Sequence, residues 1–230
     1  MRLLYILALA TALTACKSET KEKQNDTESV SEEHIELTTA EKIANAHGIE
    51  QWQNVEKIEF TFNVDMNGSH NERSWVWMPK SNDVVMMTPK DTVSYNRTTV
   101  DSLSMDADKA FVNDKFWLLA PFQLVWDSGT TISEVKTAKA PMSETELNTI
   151  TTTYSNDGGY TPGDAYDFYF NEAYMIEEWV YRKGNSEAPS MVTSFENYED
   201  FNGIKIAKDH VRSDGDFKLY FTNIAIDFKK

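Results

Sequence analysis

Residues 55–66, VEKIEFTFNVDM, alternate Ile58, Phe60, Phe62, Val64 and Met66 with Lys57, Glu59, Thr61, Asn63 and Asp65. A period of two puts one dry and one wet face on an extended segment, so this stretch predicts a strand. Asn67-Gly68 follows it, the strongest short signal for a hairpin. With those two residues as the turn, Ile58 faces Trp77, Phe60 faces Trp75 and Phe62 faces Arg73. A four-residue turn would change the partners but not the parity, and in either register both tryptophans of SWVWMP join the dry face.

The rhythm continues to the C-terminus. DVVMMT, TVSYNR, TTISEVKTAK, NTITTTYS, AYDFYFN, AYMIEEWVYR, SMVTSFENYE, GIKIAKDHVR and DFKLYFTNIAIDF are strand candidates, punctuated by SNDGGYTPGD, KGNSEAP, DFNG and SDGD. Short links favour antiparallel neighbours, which predicts a mainly β fold of about eleven strands in one strongly curved sheet. Tyr166, Phe168 and Phe170 fall together on one face, taken as inward. The phase of the next strand stays open, because an even turn over 171–173 brings Trp179 inside and an odd one brings Ile176 and Val180 inside.

Two stretches break the alternation. TTAEKIANAHG spaces Thr38 and Glu41 as a capping box and ends at Gly48, which predicts a helix of about two turns. NDKFWLLAPFQLVWD carries Phe116, Trp117, Leu118, Leu119, Phe122, Leu124, Val125 and Trp126 with no alternation and is interrupted by Pro121. Asn113 or Asp114 is expected to cap one short helix, and Pro121 to sit in the first turn of a second. Helices apolar on every side are buried ones, so these belong against the concave face of the sheet. The run is too short and too broken to span a bilayer.

The N-terminus adds an address. Arg2, the apolar LLYILALATA and the small-residue ending LTAC have the layout of a signal peptide, and LTAC resembles the lipobox of bacterial lipoproteins. That resemblance implies cleavage before Cys16 and lipid on its thiol, enough for stable anchoring where two or more acyl chains insert. Cys16 is the only cysteine among 230 residues, so no disulfide and no thiol catalysis are expected. Residues 17–38 are rich in acids and lysines and hold no aromatic residue, which reads as a disordered tether. The organisation expected is thus a signal peptide over 1–15, a lipidated cysteine and tether over 16–38, and one domain over 39–230.

Charge narrows the partners. The formal charge of −15 becomes −16 once Arg2 is removed, which argues against nucleic acid and against electrostatic docking on anionic lipid. Membrane attachment then rests on the lipid anchor. The chain is expected to be exported to the cell envelope, on the outer membrane of a Gram-negative bacterium, as a monomer with no identifiable protein partner.

Candidate chemistry is sparse. Asp127-Ser128-Gly129-Thr130 matches the tetrapeptide of aspartic proteases, but such an enzyme needs two aspartates sharing a proton, and no second copy exists here. The same residues are ordinary turn chemistry. His34, His47, His70 and His210 lack ligand spacing, so no metal and no cofactor are expected. Glu177-Glu178 and the pair Asp164 and Asp167 read as solvated charge rather than acid–base pairs. No catalytic residue is assigned.

A short helix, a strand, a polar turn, WVWMPKSNDVVMM, then APFQLV, then a run of hairpins resembles the LolA/LolB superfamily of lipoprotein-sorting half-barrels. The resemblance covers most of 39–230. It implies an incomplete antiparallel barrel of about eleven strands, with short helices covering the concave face and acyl chains bound between the two. One departure stands out. Where the periplasmic carrier has an arginine before the proline of strand two, which helps to hold its lid shut, this chain has Met78 before Pro79. The carrier's opening cycle is therefore not transferred.

Residues expected to line such a cavity are Ile58, Phe60, Phe62, Trp75, Trp77, Phe116, Trp117, Leu118, Phe122, Trp126, Phe168 and Phe170. Nine methionines suit an adaptable apolar surface. The reading is a membrane-anchored envelope lipoprotein that binds an acyl chain or another apolar ligand. Its rival is a non-catalytic interaction lipoprotein whose filled barrel recognises another envelope protein.

Overall fold

The computed structural model describes residues 36–157 and 160–229, which form a single folded unit. Cys16, the signal peptide and most of the tether lie outside the described residues. Helix α1 (Thr39–Ala46) starts at the expected capping box: the Thr38 hydroxyl accepts the Glu41 N–H, and the Glu41 carboxylate accepts the Thr38 N–H. It stops at Gly48, whose φ of +89° is left-handed and whose Cα approaches the Gly203 carbonyl so closely that a Cβ would collide with it. A 3-10 turn (Ile49–Asn54) leads into the sheet.

Strands β1 (Val55–Met66) and β2 (Ser69–Met78) form the first hairpin. Its pairs are Ile58 with Trp77, Phe60 with Trp75 and Phe62 with Arg73, the register expected for a two-residue turn. Asn67 and Gly68 both take positive φ, 51° and 76°, as a primed turn requires. β3 (Asp83–Met87) and β4 (Thr92–Asn96) extend the meander.

The chain then leaves the sheet for α2 (Met105–Leu118) and α3 (Ala120–Trp126). Pro121 sits in the first turn of α3, as expected. Neither Asn113 nor Asp114 caps a helix, however, because α2 begins about two turns earlier and both residues are inside it. Asp101 organises the start: its carboxylate takes the N–H groups of Leu103 and Ser104, and the Ser104 hydroxyl.

Strands β5 (Thr130–Ile132), β6 (Lys136–Lys139), β7 (Glu146–Tyr154), β8 (Ala165–Phe170), β9 (Ile176–Arg182), β10 (Met191–Ser194), β11 (Glu196–Phe201), β12 (Ile204–Val211) and β13 (Phe217–Phe228) complete the fold. Two candidates, TTISEVKTAK and SMVTSFENYE, each divide into two strands. Pairing is antiparallel throughout, in two sheets: β11-β12-β13-β1-β2-β3-β4, and β10-β9-β8-β7-β5 with β6 also on β7. The expectation of one continuous sheet is corrected here.

The break has a local cause. β11 pairs Glu196 with Asp209 and Tyr198 with Ala207, which puts Ser194 in register with Val211. There the Ser194 hydroxyl, not its backbone, meets the Val211 N–H at 3.1 Å and the Val211 carbonyl at 3.4 Å. One residue on, the Phe195 N–H donates to Glu177 of the other sheet at 2.7 Å. The run 191–201 therefore belongs half to each sheet and makes the corner between them, while at the far ends β4 does not pair with β5 or β6 and the barrel stays unclosed.

Helices fill the space between the sheets. Phe111, Leu118, Leu119 and Phe122 pack with Ile58, Phe60, Trp75 and Trp77 on the first sheet, while Ala120 and Leu124 pack with Ile150, Phe168, Phe170 and Trp179 on the second. The fold is mainly β, with two unclosed antiparallel sheets and short helices against their inner faces.

Candidate functional site

A buried ion pair fastens the middle of helix α2 to the first sheet. Asp114 accepts both Arg73 Nε at 2.9 Å and Arg73 Nη2 at 2.7 Å, and also the Trp75 indole N–H at 2.8 Å. Arg73 is on β2 and lies over the Phe62 ring, 5.2 Å from its centroid. Burial raises the Asp114 carboxyl above its ordinary value, against the pull of Arg73, Asn113 and Trp75. A fully buried carboxylate with a bidentate guanidinium holds the helix in one register. Arg73 lies two residues before Trp75 on β2 and so shares its face of the strand.

Beside this clamp a cavity of about 420 Å³ opens between α2 and both sheets. Phe62, Val64 and Arg73 come from the first hairpin, Phe217 and Leu219 from β13, and Lys109, Val112, Asn113, Phe116 and Trp117 from α2. Tyr166, Trp179, Tyr181 and Met191 close it from the second sheet, with Tyr160 and Thr161 from the loop between β7 and β8. Phe116 stacks on Trp179 at 5.6 Å and touches Tyr166 at 4.8 Å, while Trp117 meets Trp179 edge-on at 4.4 Å. Phe62, Val64 and Arg73 also border a groove running along the hairpin to Thr88, Pro89 and Lys90.

Phe62, Phe116 and Trp117 are the expected lining residues that reach this cavity. Trp126 lines a second, more polar pocket next to it. Ile58, Phe60, Trp75, Trp77, Leu118, Phe122, Phe168 and Phe170 sit in the buried core, off the cavity wall. Trp179, Phe217 and Leu219 are walls that the pattern did not single out.

A bulge sets the phase of Trp179. β8 and β9 pair Phe168 with Trp179 and Tyr169 with Glu178, then Phe170 with Ile176. Glu177 is the extra residue, so Trp179 and Ile176 both face inward and the two alternatives are each half fulfilled. Val180 is buried as well, opposite Asp167.

The carboxylates read as solvated charge are in fact spent internally. Glu178 is buried and accepts the N–H groups of Met142 and Ser143, both at 2.8 Å. Asp167 takes Arg182 through two 3.0 Å contacts, and Asp164 takes the Tyr181 hydroxyl and the Gly184 N–H. Strand neighbours do point to opposite faces, but the outer face is covered there by the 141–143 turn and the 183–185 loop. Asp127 of the Asp-Ser-Gly-Thr stretch follows α3 directly, accepts the Tyr154 hydroxyl, and leads through Gly129 at φ +74° into β5. Among the described residues no three His, Cys, Asp or Glu side chains gather as metal ligands, and no helix is long and apolar enough to cross a membrane.

No family model and no curated protein matches the chain in sequence. Solved structures do resemble it in chain path. A LolA superfamily protein from Nitrosomonas europaea aligns with TM-score 0.49 at 9% identity, over 84% of this chain and 96% of that one. A domain assigned to outer membrane lipoprotein sorting from Vibrio parahaemolyticus aligns with TM-score 0.45 at 10% identity, over 82% and 93%. A DUF1329 family protein from Desulfovibrio piger aligns with TM-score 0.42 at 8% identity, over 83% and 94%.

Proposed function

We propose that this chain is a lipid-anchored lipoprotein of the bacterial cell envelope that holds an acyl chain or another apolar molecule between α2 and its two sheets. The observation that carries the binding half is the cavity of about 420 Å³ walled by Phe62, Phe116, Trp117, Trp179, Phe217 and Leu219. Its volume falls within the roughly 300–1,000 Å³ of small-molecule sites, and such sites are mostly apolar with a few polar groups. The anchoring half rests on LTAC and on Cys16 as the one thiol. Residues 1–15 are then a signal peptide and 16–38 a lipidated cysteine with its tether. The chain acts by binding, and no side chain is given a catalytic role.

The filled-scaffold reading has one observation in its favour. Trp75, Trp77, Phe122 and Phe168 are spent on core packing, not on the cavity. Titration with N-phenyl-1-naphthylamine, a neutral apolar dye, separates the two. Cavity binding predicts saturable fluorescence that Phe116→Ala weakens at least fivefold, with a melting temperature close to that of wild type. No saturable binding would leave the interaction scaffold. For the anchor, Cys16→Ser is expected to move the protein out of the membrane fraction, and retention there would overturn the lipoprotein assignment.

A further inference from the structure

The second pocket, about 530 Å³, lies against the first and shares Val112, Phe116, Tyr160 and Thr161 with it as a common wall. Its polar groups are unusual in what they leave unpaired. Lys115 of α2 places Nζ 3.3 Å from Gln123 Oε1, and 6.0 and 5.9 Å from the ring centres of Trp77 and Trp126. Among the described residues no carboxylate pairs with it, since Asp127 and Asp108 act on it only at longer range. Burial, and then the Arg97 charge, push its ammonium down to about 8.

Gln123 is buried, and because its carboxamide oxygen is turned to Lys115, its Nε2 is left without an acceptor. Reversing the amide would set two donors against each other, so Lys115 fixes the orientation. Arg97 spends Nε on Asp108 at 2.9 Å, and its terminal nitrogens donate to nothing among the described residues. An unpaired cation, an orphaned buried donor and a free guanidinium edge in one pocket make a site short of one acceptor.

We propose that the ligand is a monoanionic amphiphile, a long-chain carboxylate, whose chain occupies the apolar cavity and whose carboxylate is received by Lys115, Gln123 and Arg97. This deepens the binding reading above and rests on it. Asp127 and Asp157 line the same pocket, so a dianionic head such as a phosphate monoester is disfavoured there. Asp127 itself is engaged by the Tyr154 hydroxyl. A carboxylate beside Lys115 would restore the proton that burial weakens, with Arg97, Asp108, Asp127, Asp157, Tyr154 and Tyr160 as the other ionisable neighbours.

The test uses residues 17–230, which contain the whole folded unit, with oleate, oleyl alcohol and oleyl phosphate as probes. Oleate is expected to bind at least tenfold more tightly than the alcohol and more tightly than the phosphate. Lys115→Met should cost oleate tenfold and change the alcohol by less than twofold. A wild type that binds acid and alcohol equally overturns the head-group site but leaves the cavity standing; a wild type that binds neither overturns both. Preference for the phosphate overturns the carboxylate assignment. Should Lys115→Met fail to fold, calorimetry of the wild type at pH 8.5 in two buffers of different ionisation enthalpy decides the matter. Oleate binding should then take up about half a proton or more, and no uptake overturns the proposal.

Discussion

Two residues of opposite charge sit where the pattern calls for apolar ones. Arg73 continues the dry face of Trp77 and Trp75, and Asp114 falls on the buried stripe of α2 between Phe111 and Leu118. Each alone looks like a flaw in its element; together they are the clamp between helix and sheet. Breaking one partner of such a pair is costly because the other stays buried and charged. Arg73→Met is therefore expected to lower stability by about 3 kcal/mol in urea denaturation, since Trp75 and Asn113 alone remain to serve the carboxylate. Adding Asp114→Asn removes the stranded charge while keeping an acceptor for the Trp75 indole, so the double variant should recover at least half of that loss. If the double variant is no more stable than Arg73→Met, the charge is not what makes the single change costly.

At the scale of elements, legibility followed locality. The first hairpin could be read to the residue because its alternation, its Asn-Gly turn and its two tryptophans all lie within one short run, and a one-residue slip would expose every one of them. The capping box of α1 is equally local. The first half of α2 escaped because its buried stripe includes Asp108 and Asp114 and so lacks helical hydrophobic periodicity. Asp108 is matched by Arg97 and Tyr95 from the end of β4 and by Tyr160 from beyond β7, outside its own helix, so nothing within α2 announces that. The division of 190–199 into β10 and β11 depends on Ser194 meeting Val211 across the corner, and the inward turn of Trp179 depends on the bulge at Glu177. For that reason the candidate cavity was only partly visible. Phe62, Phe116 and Trp117 stand in runs with an evident apolar bias, whereas Trp179, Phe217 and Leu219 join them through pairing of strands far apart in sequence.

The whole molecule brings two histidines into apolar surroundings, one at the end of α1 and one near the end of β12. His47 is fully buried, with Nδ1 2.8 Å from the Ile43 carbonyl and Nε2 facing the Tyr198 hydroxyl at 3.1 Å. His210 is enclosed by Phe195, Trp117 and Phe221, with Nδ1 3.1 Å from the Ser194 carbonyl and Nε2 unpaired. Burial lowers both imidazoles to about 4. An unfolded chain protonates them near 6.5, so between those values it binds more protons than the native state, and stability falls with pH. The contribution is complete above about pH 6.5 and is lost as pH drops toward 4. At pH 5 each imidazole costs about 2 kcal/mol relative to neutral pH, a large share of a typical 5–15 kcal/mol. Other groups add to this or offset it. The carboxylates held below their ordinary range, among them Glu41, Asp83, Asp101 and Asp214, are exposed and titrate lower still, whereas Asp114, held above its range by burial, and the exposed His70, raised by Asp65 and then Glu72, take up protons in the native state and act in the opposite direction. Between pH 7.5 and 5.0 the two histidines together lower the stability read by urea unfolding by about 4 kcal/mol, less the offset from Asp114 and His70. His210→Phe keeps the aromatic enclosure, gives up the contact to Ser194 and should remove about half of that difference. A His210→Phe variant with the same pH dependence as wild type would mean that the His210 ring gains a partner for its charged form in the native state.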